Sequence, residues 1–214
     1  MIIAIDGPAG SGKSTTAKLL ASKLNFLYLD TGAMYRAITL HFINNSINLD
    51  IKPQIVQSLD KLDLEINFSQ IFEIFINKKN VTNLIRNSKI DNRVSQVSKI
   101  KIVREKLVSI QRKLSSEKDI VVEGRDIGSK VFPDADFKFF LTADVKERAK
   151  RRLNDNQYKN ANLKNLIKEI ENRDMLDTLR EISPLVKVED AIEIDTTLMT
   201  VENQVQKIYD IIKG

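Results

Sequence analysis

The sequence predicts an α/β fold in which a five-stranded parallel sheet is flanked by helices. Short runs of β-branched and other apolar residues recur along the chain, and segments with helical spacing of apolar residues separate them. A glycine-rich loop, residues 7–12, joins the first run to the first helical segment. This alternation is typical of parallel sheets, because consecutive parallel strands need a crossover connection that covers the sheet.

Five segments have the length and composition of buried strands. They are residues 2–6, 26–29, 120–123, 137–141 and 192–195. Apolar residues at helical spacing predict a helix after the first strand, and a second helix that follows a turn at 30–32 and ends at Ile43. The helical spacing returns from Asp91 to Leu114.

Between residues 60 and 85 the apolar period changes to two, as expected for a strand with one exposed face. The alternating apolar residues are Leu62, Leu64, Ile66 and Phe68. Residues 71–76, turn residues 77–80 and residues 81–82 would continue this strand as a hairpin or meander. We therefore predict a small antiparallel β insert on the α/β core.

The segment 144–180 is strongly charged and has helical spacing, with an asparagine-rich break at 154–162. Charge-rich segments of this kind are usually solvated, so we predict a pair of surface helices. The chain contains no internal repeat and no long linker rich in proline or glycine. A single domain with inserted lobes is therefore expected.

The formal net charge of +5 comes from 34 basic and 29 acidic residues. Such a balance is compatible with a nucleic-acid surface, a membrane-surface patch or a site that binds several phosphates. No run of five or more basic residues occurs, and the aromatic residues do not interleave with basic ones as a single-strand-binding surface requires. Bulk nucleic-acid binding is therefore disfavoured.

Cysteine is absent, which excludes disulfides, zinc–thiolate sites, iron–sulfur clusters and a cysteine nucleophile. The single histidine, His41, excludes a histidine-rich metal site. The amino-terminal residues lack the basic region and the long apolar run of a signal peptide or membrane anchor. We expect a cytoplasmic protein.

Residues Gly7 to Ser14 match the pattern G-x-x-x-x-G-K-[ST], between a predicted strand and a predicted helix. The glycines let backbone N–H groups and the helix amino terminus face a phosphate. Lys13 would reach the β- and γ-phosphate oxygens, and the Ser14 hydroxyl would ligate Mg²⁺. The motif predicts a fold of the P-loop NTPase type. The predicted nucleotide-binding residues are Gly7, Pro8, Ala9, Gly10, Ser11, Gly12, Lys13, Ser14 and Thr15.

The rest of the chain favours transfer of the phosphoryl group over hydrolysis. A GTPase would need an N-K-x-D segment, and the nearest string, residues 77–80, lacks the aspartate. A motor ATPase would end a buried strand in acidic residues that polarise water, whereas here Arg125 enters the string Glu123-Gly124-Arg125-Asp126. An arginine at a strand end suits a second phosphate better than a water molecule.

Most arginines fall in turns, at strand ends or in the charged helical segment. They are Arg36, Arg86, Arg125, Arg148, Arg151, Arg152, Arg173 and Arg180. Bringing two phosphate-bearing ligands together needs several fixed cations, and guanidinium groups orient phosphates through paired hydrogen bonds. The residues leave open a kinase for a nucleoside monophosphate, a kinase for another small acceptor such as a hydroxy acid, and a basic ATPase associated with nucleic acid.

The chain resembles the bacterial cytidylate kinases, which are CMP and dCMP kinases of the P-loop nucleoside monophosphate kinase group, over essentially its whole length. The strings that carry the resemblance are residues 5–14, 29–36, 94–98, 103–105, 123–128, 131–135, 147–152 and 173–185. The first string is shared with many kinases. The strings Asp-Thr-Gly-Ala-Met-Tyr-Arg at 30–36 and Gly-Arg-Asp-Ile-Gly at 124–128 are far more specific.

The resemblance implies transfer of the γ-phosphoryl group of ATP to CMP or dCMP with Mg²⁺. Residues matching those that hold the acceptor phosphate are Arg36, Arg125 and Arg180. Residues matching those that read the cytosine edge are Thr31, Ser95, Arg104 and Asp126. Residues matching those that face the sugar are Arg173 and Asp177. The catalytic residues would be Lys13, Arg125 and Arg180, with Ser14 as the metal ligand.

The chemistry of cytosine agrees with these roles. Its exocyclic amino group can donate to Asp126, while N3 and O2 can accept from Arg104 and Ser95. Uracil would present an acceptor oxygen to Asp126 and should be rejected.

The resemblance also implies how the single domain, residues 1–214, is divided. The core would comprise about 1–59, 87–150 and 181–214, with a nucleotide-binding insert at about 60–86 and a lid at about 151–180. The arginines that begin the lid are Arg148, Arg151 and Arg152. We expect a monomer that acts on the small molecules CMP, dCMP and ATP and binds neither nucleic acid nor membranes.

Overall fold

The computed structural model describes residues 1–68, 72–154 and 161–214. Its elements in chain order are β1 (Ile2–Asp6), α1 (Lys13–Leu24), β2 (Leu27–Asp30), α2 (Thr31–Asn44), α3 (Lys52–Asp60), β3 (Leu64–Asn67), β4 (Glu73–Ile76), β5 (Lys79–Asn80), α4 (Ser88–Val97), α5 (Lys101–Ser115), β6 (Ile120–Glu123), β7 (Phe137–Thr142), α6 (Val145–Leu153), α7 (Leu163–Thr178), β8 (Ile192–Asp195) and α8 (Val201–Lys213). A turn of π-helix, Ile127–Val131, follows β6. The chain forms two compact units, one of Met1–Leu29 and Ser115–Gly214 and the other of Asp30–Leu114.

A five-stranded parallel sheet with the order β2-β6-β1-β7-β8 confirms the predicted fold class. At its centre, Ile3 of β1 pairs with Val121 of β6 and with Phe137 of β7. Strands β1 and β6 are apolar without alternation up to their last residues, Asp6 and Glu123, and almost wholly buried, as expected for strands covered on both faces. The predicted strand bounds agree with the observed ones to within one residue.

Helices α1 and α8 build the main hydrophobic core of the first unit with the sheet. Leu20 of α1 and Ile208 of α8 are fully buried in one cluster with Phe139 of β7. Sequence patterns predicted α1 but neither α8 nor α3. Helix α8 begins after Thr200, whose hydroxyl accepts from the Asn203 N–H at 3.3 Å. This hydroxyl satisfies one of the N–H groups left unpaired at a helix start.

The charged segment forms two helices, as predicted. Helix α6 follows the N-cap Asp144, and α7 follows the N-cap Asn162. The two helices pack through Ala149, Leu166 and Ile170, which are buried. Of the predicted asparagine-rich break, 155–160 lies outside the described residues, and with it part of the predicted lid.

The second unit begins with the start of α2. The Asp30 carboxylate accepts from the Ala33 N–H at 2.8 Å, so α2 starts at Thr31 and residues 30–32 are not a separate turn. The predicted helical stretch after Asp91 is two helices, α4 and α5, and α4 already begins at Ser88 after the N-cap Asn87. Within the described ranges, no helix is both long and apolar enough to span a membrane.

The predicted antiparallel insert is a three-stranded sheet with the order β3-β4-β5. Leu64 pairs with Ile76, and Phe75 pairs with Asn80. The predicted turn at 77–80 is two residues too long. Asn77 and Lys78 alone make the turn, with φ of 48° and 66°, as in tight hairpins whose two turn residues are left-handed. Of the predicted strand 71–76, residue 71 lies outside the described residues.

Candidate active site

The phosphate loop, residues 7–14, runs from the buried end of β1 into α1 and includes the first two residues of that helix. Gly7 has a φ of 144°, and a Cβ atom there would lie 2.1 Å from the Leu141 carbonyl oxygen, so only glycine fits. Helix α1 begins directly after Gly12, which has no side chain to cap the first N–H groups. These N–H groups and the positive end of the helix dipole suit an anion.

Lys13 is the buried cation of this loop. Its Nζ donates to the Pro8 carbonyl oxygen at 2.7 Å. Burial, and then the positive charge of Arg125, lower the pKa of Lys13 from 10.5 to about 7, against the opposing carboxylates of Glu123 and Asp6. A bound triphosphate would add negative charge beside the ammonium group and so favour its protonated form.

Ser14 and Glu123 place two oxygen atoms side by side. The Ser14 hydroxyl donates to Glu123 Oε1 at 2.6 Å, and the Tyr28 hydroxyl donates to the same oxygen at 3.4 Å. Glu123 is the last residue of β6 and is buried. Hydroxyl and carboxylate oxygens are the protein ligands that Mg²⁺ takes beside phosphates and water.

Arg125, Asp126, Asp177 and Arg180, here called the arginine–carboxylate corner, meet in the first unit. Arg125 Nε donates to Asp177 Oδ2 at 3.0 Å. Arg180 Nη2 lies 3.6 Å from Asp126 Oδ1, and Arg180 Nη1 lies 3.9 Å from Asp177 Oδ1. All members except Arg125, which is partly exposed, are buried. Two arginines separated by 55 positions in the sequence are thereby fixed around one aspartate.

The charges of this corner stabilise one another. Burial opposes the charge of Asp177, but Arg125, Arg173 and Arg180 outweigh it and lower the pKa of Asp177. Burial also opposes the charge of Arg125, yet Asp177 and Glu123 together raise the pKa of that guanidinium. Arg173, on α7, acts electrostatically on both Asp177 and Lys13. The corner therefore holds fixed cations, which phosphoryl transfer requires.

Two of the predicted lid arginines are engaged by backbone carbonyls. Arg148 is buried and donates to the Ala9 carbonyl oxygen of the phosphate loop at 3.0 Å. Asp174 accepts from Arg148 at 2.5 Å and from the Ala9 N–H at 3.3 Å. Arg151 donates to the Thr196 carbonyl oxygen at 2.6 Å. Arg148 thus supports the phosphate loop together with Asp174.

In the second unit, two arginines pair with aspartates. Arg36 of α2 forms an ion pair with Asp91 of α4 and donates to the Ile85 carbonyl oxygen at 3.4 Å. Arg86 donates to Asp30 Oδ2 at 2.7 Å. Asp30 also caps α2, so it is held from both sides.

The remaining predicted base-reading residues are buried in the second unit. Arg104 Nη1 donates to the Ser98 carbonyl oxygen at 3.2 Å, and its guanidinium lies 5.3 Å from the centre of the Tyr35 ring. Thr31 is the first residue of α2, and Ser95 lies on α4. A stacked, buried guanidinium keeps its orientation with little loss of entropy on binding a ligand.

A sequence model of the family described as cytidylate kinase matches residues 3–214. The chain belongs to the cytidylate kinase family. A cytidylate kinase of Fusobacterium nucleatum is 46% identical over 210 residues, covering 97% of this chain and 95% of the relative. A cytidylate kinase of Clostridioides difficile is 44% identical, covering 97% of this chain and 96% of the relative. The predicted family resemblance is confirmed.

Solved structures share the fold of this cytidylate kinase family member at lower identity. An uncharacterized protein from Eubacterium ventriosum superposes with a TM-score of 0.52 and 17% identity, covering 100% of this chain and 99% of that chain. A shikimate kinase from Acinetobacter baumannii in complex with shikimate has a TM-score of 0.50 and 16% identity, covering 99% and 92%. At such identities the similarity shows the fold alone.

In this cytidylate kinase family member, the predicted site residues are distributed over both units. Those in the first unit are the phosphate loop, Arg125, Asp126, Arg173, Asp177 and Arg180. Those in the second unit are Thr31, Arg36, Ser95 and Arg104. Sequence reasoning did not identify Glu123 beside Ser14, although an acidic residue that ends a buried strand is a usable signal. Asp91 and Asp174 carried no such local signal.

The shifted pKa of Lys13 predicts a proton-linked binding step. At about pH 8 most of the Lys13 amine is neutral in the free protein, so ATP binding should take up as much as about one proton. Isothermal titration calorimetry in buffers of different ionisation enthalpy measures this uptake. The Lys18→Met variant, altered at an exposed position of the same helix, should retain it, whereas Lys13→Met should lose it. Binding heats of the unaltered protein that are identical in all buffers would contradict the prediction.

Proposed function

We propose that the protein transfers the γ-phosphoryl group of ATP to CMP or dCMP, giving the diphosphate and ADP. The observation that carries the proposal is the arginine–carboxylate corner, in which Arg125 and Asp126 just beyond β6 meet the buried Asp177 and Arg180, in a chain that matches the cytidylate kinase family over residues 3–214. Cations fixed at a strand end, in the same unit as a phosphate loop, suit transfer to a second phosphate.

The phosphate loop would hold the donor triphosphate. Its backbone N–H groups would face the phosphates, and Lys13 would leave the Pro8 carbonyl to neutralise the β- and γ-phosphate oxygens. Arg148 and Asp174 would hold the loop backbone at Ala9 during this step. Positioning and charge neutralisation are the main contributions to phosphoryl transfer, so no obligatory general base is assigned.

Mg²⁺ is the metal that the cytidylate kinase family implies. The Ser14 hydroxyl and the Glu123 carboxylate, 2.6 Å apart, are two hard oxygen donors and fit an ion that completes its shell with phosphates and water. When bound, the ion supplies positive charge to the transferring phosphoryl group. Tyr28, through its hydroxyl, would keep Glu123 directed towards Ser14.

The acceptor would be read by separate groups for its phosphate, base and sugar. Arg36, Arg125 and Arg180 would bind the acceptor phosphate. Asp126 would accept from the cytosine amino group, while Thr31, Ser95 and Arg104 would complete the base site. Arg173 and Asp177 would face the sugar, and since Asp177 also pairs with Arg125, sugar contact and phosphate contact would be linked.

We further propose that the protein works as a cytoplasmic monomer on these small molecules. The cysteine-free composition supports a reducing compartment. The basic residues are spread over the sequence without a run of five, which favours a solvated, lysine-rich surface and disfavours a groove for nucleic acid.

A panel of acceptors tests the proposed function. ADP release should be fast with CMP and dCMP and lower with UMP, AMP and shikimate. UMP should be rejected because Asp126 can accept from the cytosine amino group, whereas uracil O4 has no hydrogen to donate. AMP, whose base also carries an amino group, tests whether the base site of Thr31, Ser95 and Arg104 fits only a pyrimidine. Shikimate probes the alternative of a hydroxy-acid kinase, and single-stranded DNA added without acceptor probes the alternative of a nucleic-acid ATPase. No turnover of CMP and dCMP above the background without acceptor would overturn the proposal.

A further inference from the structure

Asp6 is a buried carboxylate whose charge acts on Lys13 and whose hydrogen bonds lie outside the site described above. It is the last residue of β1 and directly precedes the phosphate loop. Its Oδ1 accepts from the Ile127 N–H at 2.9 Å, and its Oδ2 accepts from the Gly128 N–H at 2.8 Å. Both donors belong to the π-helical turn that begins directly after Asp126. One carboxylate therefore binds the backbone that directly follows Arg125 and Asp126 of the arginine–carboxylate corner.

The contact is tight. A Cβ atom at Gly128 would lie 3.5 Å from Asp6 Oδ2 and 3.2 Å from Lys138 Cδ, so the turn sits close against the end of β1 and against β7. The first N–H groups of a helical turn have no partner within the turn and need an outside acceptor. Asp6 supplies two acceptor oxygens in the geometry of a paired hydrogen bond, which fixes both the distance and the orientation of the turn.

We propose that Asp6 is a positioning residue that fixes Arg125 and Asp126 relative to the phosphate loop. Residues 125 and 126 lie immediately before the two bound N–H groups, and residue 7 lies immediately after Asp6, so one side chain joins the acceptor-binding backbone to the donor-binding backbone. The inference rests on the proposed function, in which these two groups bind the two substrates. If so, loss of the carboxylate lowers kcat/KM for CMP more than it changes KM for ATP.

The pKa of Asp6 indicates that its ionised carboxylate does not stabilise the fold at neutral pH. The pKa of Asp6 is raised from 3.8 to about 6, and burial is the largest cause. The hydrogen bonds from Gly128 and Ile127 and the charge of Lys13 oppose this rise, whereas the charge of Asp126 adds to it. Because the folded-state pKa is raised, the contribution of Asp6 to stability is present below about pH 4 and is lost as the pH rises through about 6. At neutral pH the ionised carboxylate is therefore held at a cost that a neutral amide would avoid. The amide can accept from only one of the two N–H groups, so its two effects on stability oppose each other.

The test is the Asp6→Asn variant with Asp136→Asn as its matched control. Asp136 also accepts from a backbone N–H of β1, that of Ile2 at 2.6 Å, but at the opposite, exposed end of the strand. At about pH 8 we expect Asp6→Asn to lower kcat/KM for CMP by about tenfold or more while KM for ATP stays within about twofold. Asp136→Asn should match the unaltered protein in both constants.

Thermal unfolding supplies the second readout. Asp6→Asn should unfold within about 2 °C of the unaltered protein, or above it, at about pH 8, and the difference should shift in favour of the unaltered protein as the pH falls to about 5. Three results would each overturn the inference. They are an unchanged kcat/KM for CMP, kinetic constants for CMP and ATP that worsen by the same factor, and a variant that is unfolded at about pH 8. Failure of the proposed function is distinguishable, because it appears as absent CMP turnover in the unaltered protein.

Discussion

The Lys13→Met variant is expected to lower kcat for phosphoryl transfer by about 10³-fold or more. Methionine fills the same space without the charge that would neutralise the β- and γ-phosphate oxygens. Lys13 is buried, so bulk water cannot replace that charge. The measurement is ADP release with CMP as acceptor at saturating ATP and Mg²⁺.

The same variant should keep its fold. Burial lowers the pKa of Lys13 to about 7, so the folded protein binds this proton less tightly than the unfolded chain does. Stability should then rise with pH between about 7 and 10, and at about pH 7 the neutral methionine removes the cost of a buried ammonium group. A melting temperature equal to or above that of the unaltered protein at about pH 7 is the expected result.

Lys18→Met is the control for this experiment. Lys18 lies on the same helix and is exposed, so the substitution has the same chemistry without touching the phosphate loop. It should leave turnover within about twofold. Turnover of Lys13→Met within about tenfold of the unaltered protein would show that the loop does not act on a triphosphate.

The phosphate loop and the parallel sheet could be predicted because their determinants are local. Position 7 must be glycine, because a Cβ atom there would clash with the Leu141 carbonyl oxygen. The motif places this glycine at a strand end. The strands are short apolar runs because both faces are buried, so their pattern does not depend on the rest of the chain. The π-helical turn at 127–131 had no such pattern, since Asp6, 121 positions earlier, supplies its acceptor.

The partners of the arginines could not be predicted, because long-range packing selects them. Arg36 pairs with Asp91 and Arg125 pairs with Asp177, at sequence separations of 55 and 52 residues. The family resemblance implied a sugar contact for Asp177, and the structure adds that its carboxylate also accepts from Arg125. Strand 79–80 was assigned to a turn for a related reason, since only pairing with β4 distinguishes its residues from turn residues.

The Arg125→Lys variant is expected to lower kcat/KM for CMP by about 100-fold while affecting ATP binding little. Lysine keeps the positive charge but has a single ammonium group, so it cannot donate to Asp177 through Nε and still present a planar pair of N–H groups to a phosphate. Asp177 is buried and would lose the hydrogen bond from Arg125 Nε, which would loosen the position of Arg180 as well. The measurement is steady-state kinetics with CMP varied at saturating ATP, and then with ATP varied.

Arg112→Lys is the matched control, because Arg112 is exposed on the last turn of α5 and the same change there should leave both constants within about twofold. A loss that appears equally in KM for ATP would place Arg125 at the donor triphosphate. A loss below about fivefold would mean that charge alone suffices and that the fork held by Asp177 is not used. A loss confined to CMP, together with a raised pKa of the Asp177 carboxyl by NMR titration, is the result expected if Asp177 both orients this arginine and is kept ionised by it.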